Sequence, residues 1–327
     1  MGDAIVMQGI TKTFGPKVAV RDMELRVPEG ALYGFIGPNG AGKTTTIRMI
    51  MSIIFPDAGR ISVLGRPSAV ESKDRIGYLP EERGVYKKMR VGAFLKLIGR
   101  LKGMGGHDLD RRVRDWLERV DLGDTYRKRC EELSKGMQQK VQFIASVLHE
   151  PDLVILDEPF SGLDPVNMRL LRDLFLEQHR SGRTLIFSTH VMHQAEQLCD
   201  HIIMINRGNK VLDAPLAEIR SRFDPKTIVF EPLDVGRADV VGGLPGVRAL
   251  SYVNGLHEVS LEEGAEATGV MRRIMEATPV TRIELRRPTL EDVFIDIVQQ
   301  DEAGDLDEAQ LRAELRDGAA EPTGAEA

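Results

Sequence analysis

No apolar run in this 327-residue chain approaches the ~18 residues that a membrane-spanning helix needs, so the sequence offers no span of its own. Two cysteines, Cys130 and Cys199, are too few for a disulfide framework or a metal cluster. Both read as small hydrophobes packed in a reducing cytoplasm. Basic residues do not outnumber acidic ones: 44 Lys and Arg stand against 50 Asp and Glu, a net charge of −6, which gives no footing for a nucleic-acid partner. The opening residues, Met1-Gly2-Asp3-Ala4-Ile5-Val6, have neither the basic nor the apolar region of a signal peptide. Val6 stands where a myristoylation signal has Ser or Thr.

What is present is the composition of a globular protein, 42% hydrophobic and 29% charged, at a length that predicts two domains. The charge is unevenly spread. Nine Asp or Glu and two Arg fall between Gln299 and Ala327, so the rest of the chain is close to neutral. That segment, rich in Ala, Gly and Glu, predicts an acidic, disordered tail over 299–327 with a short helix near Asp307–Leu315.

The first 215 or so residues alternate strand and helix patterns. Ala31–Ile36, Asp152–Asp157, Thr184–Ser188 and His201–Ile205 are short apolar runs bounded by turn residues, and Lys43 to about Ser52 reads as a helix. Runs of this kind separated by helices predict an α/β domain with a largely parallel core sheet. Between them, Phe94, Leu95, Leu97, Ile98 and Leu101 recur at helical spacing, as do Val113, Leu117 and Val120, with Gly103-Met-Gly-Gly106 as a break. This predicts a helical subdomain over about 85–150 inside an α/β domain of residues 1–220. Beyond Pro215 the pattern changes. Thr227–Phe230, Val247–Val253, Leu256–Leu261 and Val280–Leu285 read as strands, with Asn254-Gly255 as a hairpin turn. Short helices are expected near Arg237–Gly242 and over Thr268–Ala277, and a last helix over Thr289–Val298 opens on a capping box, Thr289 and Asp292. The order β-α-β-β-α-β plus a helix predicts a small α+β, ferredoxin-like domain over 225–298.

Three segments carry chemistry. Gly37-Pro38-Asn39-Gly40-Ala41-Gly42-Lys43-Thr44, continued by Thr45, matches G-x-x-x-x-G-K-[ST] between a strand and a helix. Glycines let successive N–H groups turn inward on phosphates, the helix N-terminus adds partial positive charge, Lys43 adds a full one, and Thr44 offers a hydroxyl to Mg²⁺. Leu153–Glu158 is an apolar strand ending in two carboxylates. Asp157 is the expected magnesium ligand, and Glu158 the group that orients and deprotonates an attacking water. Between these lies Leu133-Ser134-Lys135-Gly136-Met137, where Ser134 is a good N-cap for a helix carrying Val141, Ile144, Ala145 and Leu148 into the core.

Over about residues 3–220 the combination resembles the ATP-binding subunit of an ABC transporter, a P-loop NTPase fold. Leu133–Met137 matches the family signature, Ser161-Gly-Leu-Asp164 the D-loop, and Ser188-Thr-His190 the switch histidine. The resemblance implies ATP and Mg²⁺ as cofactors and a head-to-tail dimer with a second copy or a paralogous subunit. Ser134, Lys135, Gly136 and Met137 would then meet the γ-phosphate held by the partner's Lys43. It further implies that Phe14 lies under adenine, that His190 holds the γ-phosphate and water, and that Asp164 couples the two sites. Two positions depart from the family pattern. Lys135 and Met137 replace Gly and Gln in the signature, and Glu81 stands where the family has the Gln that links Mg²⁺ and water to the membrane partner. The stretches Leu79–Tyr86 and Ser134–Lys140, with the small C-terminal domain, resemble a bacterial branch that includes sodium-efflux and drug-efflux ATPase subunits. The implied function is a cytoplasmic ATPase subunit, peripheral on the inner face of the membrane, driving a separate integral membrane permease as an exporter. The alternative is a soluble ABC-type ATPase with no permease.

Overall fold

The computed structural model describes residues 2–82, 84–222, 227–253, 255–262, 264–286 and 288–301. The expected short helix near Asp307–Leu315 lies outside them, as do Arg83 and Asn254. The described chain forms two compact units, one within Met1–Pro215 and one that begins at Leu216.

The first unit runs β1 (Asp3–Phe14), β2 (Lys17–Pro28), β3 (Leu32–Ile36), α1 (Lys43–Ile50), β4 (Ala58–Val63), β5 (Ile76–Leu79), α2 (Val91–Leu101), α3 (His107–Arg119) and α4 (Lys135–Val147). It continues through β6 (Leu153–Asp157), α5 (Pro165–Arg180), β7 (Thr184–Thr189), α6 (Met192–Leu198), β8 (His201–Asn206) and β9 (Asn209–Pro215). Six strands make one sheet in the order β5-β6-β7-β3-β8-β9. All neighbours in it are parallel except β8 and β9. Every residue of β3, β6 and β7 is buried, as strands covered on both faces require.

A second, antiparallel sheet, β2-β1-β4, was absent from the sequence reading. From Met23 onward β2 alternates, so Met23, Leu25 and Val27 turn inward, and Val20 is buried with them. They join Ile47, Met49 and Ile50 of α1 and Phe35, Ile155, Ile186 and Ile203 of the large sheet in a single core. Helix α1 is therefore held by apolar contacts with both sheets, which fixes where its N-terminus sits.

The helical subdomain forms with its break at Gly103–Gly106 between α2 and α3. Phe94, Leu95, Val113 and Leu117 are buried as expected, but Leu101 is 62% exposed. The turn of α2 that faces inward is Gly99, where an added Cβ would lie 2.6 Å from a Leu109 methyl, so the helices approach through the glycine. In α4, Val141 and Ile144 are buried and Ala145 is half-buried, and Leu148, which caps its C-terminus, is buried too.

The second unit runs α7 (Leu216–Arg222), β10 (Thr227–Pro232), a 3₁₀ turn at Val235–Gly243, β11 (Val247–Val253), β12 (Leu256–Leu261), α8 (Ala267–Ala277), β13 (Val280–Arg286) and α9 (Leu290–Asp301). The strand order is β11-β12-β10-β13, antiparallel throughout. By order of appearance that is 4-1-3-2 read from the β13 edge, the split β-α-β arrangement of a ferredoxin-like fold. Val253 pairs with Leu256, so β11 and β12 form the antiparallel pair expected of a hairpin. Ile228, Phe230, Val259, Val270 and Ile274 form the core of this unit. The capping box of α9 is reciprocal: Thr289 N–H donates to Asp292 Oδ2 at 2.9 Å, and Asp292 N–H to Thr289 Oγ1 at 3.2 Å. The helix continues to Asp301, past the expected start of the tail at Gln299.

Candidate active site

The C-terminal ends of four parallel strands meet at one edge of the large sheet. Ile36 pairs with Thr189, Asp157 with Ser188, and Leu79 with Leu156. The Gly37 loop, Glu81, the Asp157–Glu158 pair and Ser188–His190 all follow from that edge, where open α/β sheets bind ligands.

The loop before α1 is shaped by sterics. Gly37 has φ 147 and Gly42 φ 113, both outside the range of ordinary side chains. A Cβ at Gly37 would lie 2.0 Å from the Ile205 carbonyl oxygen, and one at Gly42 2.5 Å from that of Ala19. No side chain caps α1, so its first N–H groups, which have no carbonyl one turn back, remain available to an anion. Lys43 is buried and folds over the loop, donating to the carbonyls of Gly37 at 2.8 Å and Pro38 at 3.1 Å. Its Nζ is 4.0 Å from Glu158 Oε1. Burial lowers the Lys43 pKa, against the pull of Glu158, Asp157 and Glu81.

Asp157 is fully buried at the end of β6. Its Oδ1 accepts from Ser188 Oγ and faces Thr44 Oγ1 at 3.3 Å. Its Oδ2 is buried with no hydrogen-bond partner. Burial raises the Asp157 pKa; the hydrogen bonds from Ser188 and Thr44 oppose the rise, and the like charges of Glu81 and Glu158 add to it. Glu81 Oε2 lies 3.4 Å from the same Thr44 hydroxyl. A hydroxyl, a buried carboxylate with a free oxygen and a second carboxylate are hard oxygen donors of the kind Mg²⁺ takes, so the residues fit that ion. Among the described residues no cluster of three or more His, Cys, Asp or Glu could hold a metal. That is expected for Mg²⁺, which uses one or two carboxylates and completes its shell with phosphate and water.

Glu158 follows in the left-handed region, φ 47, with its N–H donating to Ser188 Oγ at 3.1 Å. That turn carries its carboxylate to His190. Oε1 accepts from His190 N–H at 3.0 Å and meets His190 Nδ1 at 2.8 Å. A carboxylate only accepts, so the proton between them belongs to Nδ1, and Nε2 is left as the other face of the ring.

The signature residues are built differently. Ser134 caps α4, its Oγ accepting from Met137 N–H at 3.3 Å. Ser134 and Lys135 are exposed, Gly136 and Met137 half-buried. Among the described residues, no hydrogen bond joins them to the Gly37 loop, Asp157, Glu158 or His190. Asp164 caps α5, accepting from Val166 and Asn167 N–H at 3.0 Å each, and hydrogen bonds from Asn167 hold its carboxyl below the usual range. Phe14, at the end of β1, is 50% exposed, with Lys12 Nζ 5.4 Å from its ring centre.

Residues 20–161 match the ABC transporter family, and residues 215–298 the C-terminal domain of DrrA1-3-like ATP-binding proteins. The ABC transporter ATP-binding protein YhaQ of Bacillus subtilis is 40% identical over 296 residues, covering 90% of this chain and 98% of its own. The chain belongs to the ABC transporter ATP-binding proteins. Daunorubicin resistance ATP-binding protein DrrA3 of Streptomyces coeruleorubidus is 33% identical, over 91% of this chain and 96% of its own. A solved ATP-binding subunit of an ABC transporter superposes with a TM-score of 0.63 at 30% identity, over 67% of this chain and 93% of that one. ABC ATP-binding proteins bind ATP and hydrolyse it to power transport, and this chain is an ATPase of that kind.

Several residues of this ABC ATPase were missed by reading its sequence. Ser188 was seen only as a neighbour of His190, yet it touches both acids. Gln139 donates from inside α4 to the Pro159 carbonyl at 3.0 Å, beside Glu158. Glu82 pairs with Arg48 of α1 at 3.1 Å. Ser188 has a faint signal, a polar side chain closing an apolar run, whereas Gln139 stands among the polar residues Gln138 and Lys140 and has none. Glu82 has none either, because its partner is distant in sequence.

Proposed function

We propose that this chain is the ATP-hydrolysing subunit of an ABC exporter, acting as a head-to-tail dimer on the cytoplasmic face of the membrane beside a separate permease. The Gly37–Thr45 loop and Lys43 bind the phosphates; Lys43 exchanges its carbonyl partners for phosphate oxygens. Thr44, Asp157 and Glu81 would hold Mg²⁺, which neutralises phosphate charge when bound. Glu158 orients and deprotonates the attacking water. His190, tied to Glu158 through Nδ1–H, keeps that carboxylate aimed and presents its other nitrogen toward the γ-phosphate. Phe14 offers its open face to adenine.

The observation that carries the dimer is Gly136. Its φ is not in the positive range, and a Cβ there would meet nothing nearer than a Leu163 methyl at 3.5 Å, an ordinary contact. The chain's own packing does not require glycine at this place. A glycine beside a capping serine at an exposed helix N-terminus is accounted for by something outside the chain approaching closely, and a phosphate held by a second copy fits it. Asp164, on the α5 cap, would couple the two sites. Export is favoured by the relatives, which include a daunorubicin resistance and a linearmycin resistance ATP-binding protein.

The test is Glu158→Gln. Turnover should fall by at least ~100-fold while ATP binding persists, and an ATP-bound species of twice the monomer mass should accumulate in light scattering. Turnover close to wild type would remove Glu158 from its role. Loss of turnover with a monomer at saturating ATP would remove the dimer.

A further inference from the structure

The inference that follows rests on the ATPase reading and deepens it. Ser188 is buried at the end of β7, directly opposite Asp157 in the parallel register. Its hydroxyl has one proton and two lone pairs. Backbone N–H can only donate and a carboxylate can only accept, so the directions are fixed. Ser188 Oγ accepts from Glu158 N–H at 3.1 Å and donates to Asp157 Oδ1. One hydroxyl thus holds both acids, each through a different lone pair or proton.

Each bond has a separate consequence. The bond to Oδ1, the oxygen that also faces Thr44 Oγ1 at 3.3 Å, fixes the rotation of the Asp157 carboxylate and leaves Oδ2 buried and without a hydrogen-bond partner. The bond from Glu158 N–H satisfies a donor that leaves the strand ladder when the backbone turns left-handed at φ 47. A left-handed non-glycine residue is strained and persists only when its surroundings hold it. Without that turn the Glu158 side chain would not reach His190, 2.8 Å away.

We propose that Ser188 is the positioning residue of the catalytic edge, setting the Asp157 carboxylate for Mg²⁺ and the direction of Glu158 for water with one hydroxyl. It does not touch substrate. A serine that merely filled space here would be replaceable by alanine with no effect on metal or chemistry.

The test uses the full chain with Ser188→Ala and Ser188→Thr. Mn²⁺ binding to the protein–ATP complex, counted by loss of the free-ion EPR signal, stands in for Mg²⁺. For Ser188→Ala, Mn²⁺ affinity and kcat should each fall by about 10–100-fold, the range found for groups that orient metal ligands, while KM for ATP stays within about twofold. Ser188→Thr keeps the hydroxyl and should recover most of both. If Ser188→Ala does not fold, Ser188→Cys, which keeps a side chain of similar shape with a weaker donor, takes its place. Unchanged Mn²⁺ affinity in a folded variant overturns the proposal, as does equal impairment of the alanine and threonine variants. A wild-type chain without turnover would instead sink the ATPase reading, and the Mn²⁺ titration would still judge Ser188.

Discussion

His149 carries a pH limit in a single side chain. It follows α4, and its Nε2 meets the Ile76 carbonyl at 3.1 Å, so that nitrogen carries the proton. Its Nδ1 is buried with no partner. Burial, helped by the charge of Lys102, pushes its pKa down to about 4 from 6.5. The folded state therefore holds it neutral while the unfolded chain protonates it. Its stabilising contribution is complete above the unfolded value of 6.5 and is lost as pH falls toward 4. His149→Gln retains a donor for Ile76, so the fall in melting temperature between pH 6.5 and 4 should be shallower in the variant. Parallel curves would show that His149 does not titrate in this window. At this scale the sequence was legible where function is written in consecutive residues: Lys43, Thr44, Asp157 and Glu158 are side by side at the strand ends where they were expected. It was not legible for His149, Ser188 or Gln139, whose partners are set by burial.

Helix α4 shows two demands on one element. Ser134 satisfies a helix-end N–H of its own chain, and in the proposed dimer it also faces a phosphate on the other. Substitution separates them. Ser134→Ala loses the cap, and urea unfolding should report a loss of about 1 kcal/mol. Aspartate is as good a cap, so Ser134→Asp should keep the stability yet lose ATP turnover, because its charge would oppose the phosphate. Turnover retained in Ser134→Asp would mean that the serine serves only its helix. Among the elements, the helix break at Gly103–Gly106 and the Asn-Gly hairpin were readable because glycine marks them directly. The β2-β1-β4 sheet was not. Its pairing shifts register at several points, between Met7 and Ile10 among others, and each shift interrupts the alternation by which a half-buried strand is recognised.

For the whole molecule, the proposed composite site makes a prediction that no single chain could satisfy. Lys43→Ala damages a chain's own phosphate site. Gly136→Asp damages the site it offers to its partner, and a Cβ at Gly136 meets only ordinary contacts, the nearest a Leu163 methyl at 3.5 Å, so that chain should fold. Each variant alone should be inactive. An equal mixture should recover about a quarter of wild-type turnover, since half the dimers are mixed and each of these has one intact site. No recovery on mixing would place both halves of the site within one chain.

The sequence by itself determined the class of chemistry, because the phosphate loop, the strand with its two acids and the signature are each continuous stretches whose meaning depends on local backbone geometry. It also determined the small C-terminal fold, whose strands and turns follow one another with little between. Only the tertiary structure decided which atoms act together. Ser188 lies 31 residues from Asp157, and His190 lies 32 from Glu158. They are brought within hydrogen-bond reach by the parallel pairing of β6 with β7, two strands buried along their whole length.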